Sequence, residues 1–254
     1  MSDDPQLHPG GDPPPPAGAP PPPAPLPGGG LPPGPPAVPA TTRVLAACQR
    51  RGETDYLFDY WSALGWTVLT LGIYSFYVLY QLVRRMRDHN LRRLELFDAA
   101  LALAWEEAGR RGLQQELTPS FERAAAHMAV LRRMTGDFRD PVVWLILSVV
   151  ARGILEVVAF VLLDQDMVKH DRAEVGVEYE LAQIYGRFGF PLPPPDQDRV
   201  RGPNNYVGRV VATVFSLGIY LFWWYYDQMT VPNRHFATNW AQEDALAAAV
   251  QMLR

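Results

Sequence analysis

The chain has 254 residues, a formal net charge of -4 and a hydrophobic fraction of 48%. This balance gives no basic surplus for nucleic acid, and Cys48, the only cysteine, excludes an intrachain disulfide or a cysteine-based zinc cluster. Lys169 is the only lysine among the basic residues, a bias of a GC-rich bacterial genome rather than of chemistry.

Residues 1–41 form a Pro/Gly/Ala-rich tail that holds most of the 25 prolines and no aromatic residue. Such a stretch buries too little apolar surface to offset its ordering entropy, so it reads as disordered with polyproline II segments. The start, Met1-Ser2-Asp3-Asp4-Pro5, lacks the basic and apolar regions of a secretory signal. Membrane insertion is therefore expected through internal segments.

Three apolar blocks follow, at about 60–83, 142–163 and 206–226. Each approaches the roughly 20 residues that a helix needs to cross a hydrocarbon core. The expected fold is therefore all-α: a polytopic helical membrane protein with three spans, a helical membrane domain over 42–230 and a C-terminal polar helix over 231–254. Asp140 and Pro141 predict the N-cap and first position of the second span, and the aromatic run Tyr220 to Tyr226 predicts an interface belt. Polar helices are predicted over 94–110, from a cap at Thr118 before Pro119 to Met134, and over 240–253. A helical extension is expected after the second span through Val175, Val177, Leu181 and Ile184, before Pro191.

The tetrad Leu71-Gly72-Ile73-Tyr74 recurs as Leu217-Gly218-Ile219-Tyr220. At the same offset Tyr60 meets Tyr206, Thr67 meets Thr213, Val68 meets Val214, Phe76 meets Phe222, Tyr80 meets Tyr226 and His89 meets His235. This is an internal repeat. A weaker third copy aligns Val149, Gly153, Ile154, Met167 and His170 with Val68, Gly72, Ile73, Met86 and His89. Each unit then reads as a span with a central glycine, an exit helix and a histidine.

The motif at Thr70 to Tyr80 and Ser216 to Tyr226 resembles a bacterial family of integral membrane proteins known only as domain of unknown function 4234. The middle unit departs from it, with Arg152 and Leu155 in place of Leu and Tyr. The resemblance implies an integral membrane fold and carries no activity.

Arg152 and Glu156 lie four apart on one helix face, where each ionised group costs about 2.5 to 3.5 kcal/mol in lipid. They read as a neutralising pair in the bundle interior, or else as a solute or proton site. Arg209 reads as a snorkelling anchor. Gly72, Gly153 and Gly218 read first as helix-packing positions and second as kinks. His89, His170 and His235 lie in polar segments without a second ligand at zinc spacing, so no metal ligand, catalytic residue or cofactor is assigned. The segment Arg84, Arg85, Arg87, Arg92 and Arg93 suits anionic headgroups.

The expected role is a non-enzymatic anchor or interaction protein, multi-pass in a bacterial plasma membrane. Its partners are the lipid bilayer, a second copy, and proteins bound through the tail and polar helices, with no nucleic acid. A small transporter or channel component using Arg152 and Glu156 is the alternative. Three simple spans put His89 and His235 on one face of the membrane and His170 on the other. Re-entrant hairpins bent at the glycines would instead put all flanks on one face; the three-span reading is kept.

Overall fold

The computed structural model describes residues 38–151, 153–196, 202 and 204–253. All belong to the second of the two units into which the chain divides, Val38–Arg254. The expected tail lies outside the described residues except for its last positions, of which Ala40 already begins the first helix.

The described chain is helical and, within it, no strand occurs. Its elements are α1 (Ala40–Gln49), α2 (Arg51–Thr54), α3 (Tyr60–Leu69), α4 (Tyr74–Arg110), α5 (Gln114–Gly136), α6 (Pro141–Val150), α7 (Ile154–Arg187), α8 (Tyr206–Phe215) and α9 (Ile219–Met252). The all-α expectation holds, but the three spans do not. No helix of the described residues is long and apolar enough to cross a membrane, which overturns both the polytopic fold and the multi-pass placement.

The reason is local. Each apolar block breaks near its middle and becomes a hairpin, a ten-residue arm followed by the start of a long helix. An Asp or Asn opens each arm: the side chain of Asp59 accepts from Ser62 N, Asp140 from Val142 N and Val143 N, and Asn205 from Gly208 N. These caps satisfy amide groups that have no partner inside the helix. At the far end of the first arm, Gly72 N donates to Thr67 O (2.7 Å) and Leu71 N to Val68 O (3.1 Å). This is the Schellman pattern, with the left-handed position taken by Leu71 (φ 51°) and followed by Gly72 (φ 88°).

The third hairpin repeats it. Gly218 N donates to Thr213 O (2.8 Å) and Leu217 N to Val214 O (3.1 Å), with φ of 53° at Leu217 and 90° at Gly218. The hydroxyl before each leucine then starts the next helix: Tyr74 N donates to Thr70 Oγ1 and Tyr220 N to Ser216 Oγ, both at 2.9 Å. The repeated motif is therefore a chain reversal. Gly153 is also in the positive-φ region (86°), and a side chain at Gly153 or Gly218 would meet nothing within 4 Å. Backbone conformation, not helix packing, is what requires glycine there.

The long helices α4, α7 and α9 start at these turns and carry the chain into the body. One apolar core joins the hairpins through Val78, Leu82, Phe160, Leu163, Trp224 and Met229. A second lies further along, where Leu96, Phe97, Val177, Leu181 and Leu246 meet α1 and α5. Between them sits a buried polar layer.

Smaller expectations also move. α5 begins at Gln114, so Thr118 lies inside it and its hydroxyl donates to Gln114 O (2.8 Å) rather than capping. The 240–253 helix is the end of α9, not a separate element. The extension through Val175, Val177, Leu181 and Ile184 is present as the far part of α7, and all four are buried.

Candidate metal centre

Gly72, Gly153 and Gly218 each precede a histidine by seventeen positions, at His89, His170 and His235. Because the three long helices leave their turns side by side, equal spacing delivers the three imidazoles to one level. Their ring centroids form a nearly equilateral triangle, with separations of 5.1 Å (His89 to His235), 5.5 Å (His89 to His170) and 5.5 Å (His170 to His235). One histidine from each of the three units thus meets the other two at one level.

One helical turn beyond each histidine comes a second polar residue: Arg93, Glu174 and Asn239. Glu174 Oε2 faces the imidazole layer, 3.5 Å from His170 Nε2 and 3.3 Å from His235 Nε2. Arg93 holds the other oxygen of Glu174 through Nε, and Asn239 Nδ2 donates to Oε2 at 3.1 Å. His89, His170, Glu174 and His235 each present one ligand atom, and no two of these atoms are more than 4.8 Å apart. Exposure is 0%, 1%, 0% and 3% respectively.

The surrounding groups fix which nitrogen points inward. His89 Nδ1 lies 2.9 Å from Asp55 Oδ1, and Asp55 is also held by Arg92 (2.7 Å) and by the Trp240 indole N–H (2.7 Å). Burial opposes ionisation of Asp55, but His89, Arg92 and Trp240 outweigh it and hold the carboxyl far below its usual range. Burial lowers His89 to about 3, with Asp55 only partly offsetting. At neutral pH, then, a neutral His89 donates from Nδ1 to an ionised Asp55, and its Nε2 carries a lone pair.

That lone pair lies 3.2 Å from Nε2 of His235, whose own Nδ1 sits 2.8 Å from Asp171 Oδ1, close but not aligned as a hydrogen bond. His170 Nε2 is buried without a hydrogen bond. Glu174 resists ionisation through burial, yet Arg93, His170 and His235 more than offset that and keep it well below the carboxylate range. Imidazole nitrogens and a carboxylate oxygen thus converge on one point, with the Asn239 amide nitrogen beside them, 3.0 Å from His235 Nε2 and 3.5 Å from His89 Nε2. Such a set of nitrogen and oxygen donors is of the kind that holds a metal ion.

Bonds of about 2.0 to 2.1 Å in a tetrahedral site put ligand atoms about 3.4 Å apart; three of the six separations here, 3.2, 3.3 and 3.5 Å, lie near that edge, and the whole set lies within 4.8 Å. Asp55 and Asp171 stand behind two of the ligands as the carboxylates that set imidazole orientation in metal sites.

Around the layer, Arg92 bridges Asp55 and Glu243 (2.7 Å each), while Arg93 bridges Glu174, Glu178 (2.6 Å) and Glu243 (3.0 Å). Arg85 donates to Gln228 O (2.6 Å) and Asn233 Oδ1 (2.9 Å). The arginine segment expected to face headgroups is thus largely internal: Arg85, Arg92 and Arg93 are buried.

Of the other sequence candidates, Arg152 lies outside the described residues. Glu156 lines a cavity of about 190 Å³ between the hairpin ends, with Thr67, Ser75 and Tyr225. Arg209 pairs with Asp227 (2.9 Å) and lies over the Trp224 ring. Leu71, Gly72, Ile73, Tyr74 and Leu217, Gly218, Ile219, Tyr220 form the two matching turns. The polar partners missed in the sequence were legible there in one respect: His170 with Glu174, and His235 with Asn239, stand four apart on one face. Asp55 carried no such signal.

No family model, no curated protein and no solved structure matches the chain.

Proposed function

We propose that this protein is a metalloprotein in which one divalent first-row transition-metal ion, with zinc as the best fit, fastens three hairpin units where their histidines meet. The observation that carries the reading is the equal register of His89, His170 and His235, one from each unit, with Glu174 completing the set. Four protein ligands would complete the shell of such an ion, and all four are buried. A shell filled by protein is the mark of a structural site, whereas a catalytic zinc keeps a position for water or substrate. The role is accordingly non-enzymatic: the ion ties together helices that are far apart in sequence, and binding free energy becomes folding free energy.

The test is metal content of the full chain purified without a histidine tag, followed by zinc titration after chelation. About one ion per chain is expected, with a melting temperature that falls on chelation and recovers on adding zinc. His89→Ala, His170→Ala and His235→Ala should each lose that recovery. A native chain that holds no metal and melts at the same temperature with zinc or chelator would overturn the reading.

A further inference from the structure

The hairpin ends gather on one side of the bundle, where Gly72, Ser75, Glu156 and Gly218 line a common cavity. Their outermost residues are apolar and exposed: Leu71 89%, Leu217 95%, Phe215 85% and Val150 81%. We propose that this face inserts into one leaflet of a lipid bilayer to the depth of the short arms, without crossing it. The proposal is independent of the metal centre.

Four observations fit lipid rather than water or protein. The arms are ten residues long, about 15 Å of helix, which is roughly half of a hydrocarbon core about 30 Å thick. The turns at Leu71 and Leu217 satisfy their own amides: Ile73 N donates to Thr70 O and Ile219 N to Ser216 O (3.1 Å each), beside the Schellman and hydroxyl bonds already described. Water would serve an exposed turn equally well, but hydrocarbon offers no partner, so internal satisfaction is what lipid demands.

The third observation is the leucines themselves. Gly or Asn would hold the left-handed position at less cost, yet both turns place a large apolar side chain there, pointing away from the protein. The fourth is charge. Among the described residues of the three hairpins, after the caps Asp59, Asp140 and Asn205 and before Arg84, Asp164 and Asp227, the only charged side chains are Glu156, in the cavity, and Arg209, paired with Asp227; Arg152, in the second block, lies outside the described residues.

The experiment uses the full chain, added to preformed vesicles of phosphatidylcholine alone or mixed with phosphatidylglycerol, with bound protein read by flotation. Binding to the neutral vesicles, retained in high salt, is expected. Acyl-chain-brominated lipid should quench tryptophan emission, and the quenching should shrink in Trp66→Phe, since Trp66 lies one turn from the tip.

Leu71→Asn with Leu217→Asn should lower vesicle partitioning roughly tenfold or more, because two fully exposed leucines lose their transfer free energy. Asparagine tolerates positive φ, so helical content and melting temperature should be held or raised, which separates lost insertion from lost folding. Three outcomes overturn the proposal. They are unchanged partitioning of the double variant, binding only to anionic vesicles and only at low salt, and no vesicle binding by a chain that self-associates in native form and becomes monomeric in the double variant. The last assigns the face to a second copy.

Discussion

His89 Nδ1 lies 2.9 Å from Asp55 Oδ1, and Asp55 stands just after α2, outside all three repeated units. The histidine layer is thereby oriented in part by a residue that belongs to none of the three repeated units. The segment before the first hairpin serves the site and not only the core.

Asp55→Asn removes the negative charge that keeps the proton on Nδ1. Zinc affinity is expected to fall by roughly 10- to 100-fold, the usual cost of losing such a supporting carboxylate. A competition titration against a chromophoric chelator reads it directly.

Acid should destabilise the metal-free protein earlier than carboxylates alone would. His89 is held neutral in the fold, its pKa lowered to about 3 by burial, whereas in the unfolded chain it titrates near 6.5. Between those values the unfolded state binds a proton that the folded state refuses, so stability falls as pH drops through that window. By pH 5 the loss from this residue is about 2 kcal/mol. Asp55 and Glu174 are shifted the other way for acids, below their unfolded values; their contribution is present above about pH 4 and is lost on further acidification. Denaturant midpoints across pH should slope from about pH 6.5 downward, and His89→Gln should flatten the upper part of that slope.

Arg93 touches Glu174, Glu178 and Glu243 and is buried with them. Arg93→Met leaves buried carboxylates without their shared guanidinium, a change that costs about 3 to 5 kcal/mol. Arg93→Lys should recover only part of it, since a single ammonium cannot reproduce the fork. Thermal melts in the presence of chelator isolate this effect from metal binding.

The hairpin turns predict opposite signs at adjacent positions. Gly72→Ala forces a side chain into a φ of 88° and should cost about 1 to 2 kcal/mol. Leu71→Gly relieves the strain at φ 51° and should stabilise the isolated fold by up to about 1 kcal/mol. Urea midpoints of the two variants should move in opposite directions. Equal movement would show that the turn does not govern the hairpin.

The sequence by itself determined the repeat, the helical class, the cap at Asp140, the far part of α7 and the apolar composition of the three blocks. These are local properties: periodicity, capping chemistry and hydropathy act within a few residues. It also put a glycine and a histidine in each unit.

What those glycines do was decided only in three dimensions. A twenty-residue apolar block with a central glycine reads by hydropathy as one long helix, and only the positive φ values at Leu71, Gly72, Gly153, Leu217 and Gly218 show that it is two short ones. Once the chain reverses there, the membrane-spanning interpretation falls and the three histidines arrive at one point. Hydropathy sums over a window and is blind to a reversal of direction inside it. The ligand set was hidden for a related reason, because its members come from α4, α7 and α9, and no spacing along one segment records a meeting of three helices. Asp55 completes the argument: unremarkable in the sequence, it acquires its role only because α9 and α4 enclose it between His89, Arg92 and Trp240.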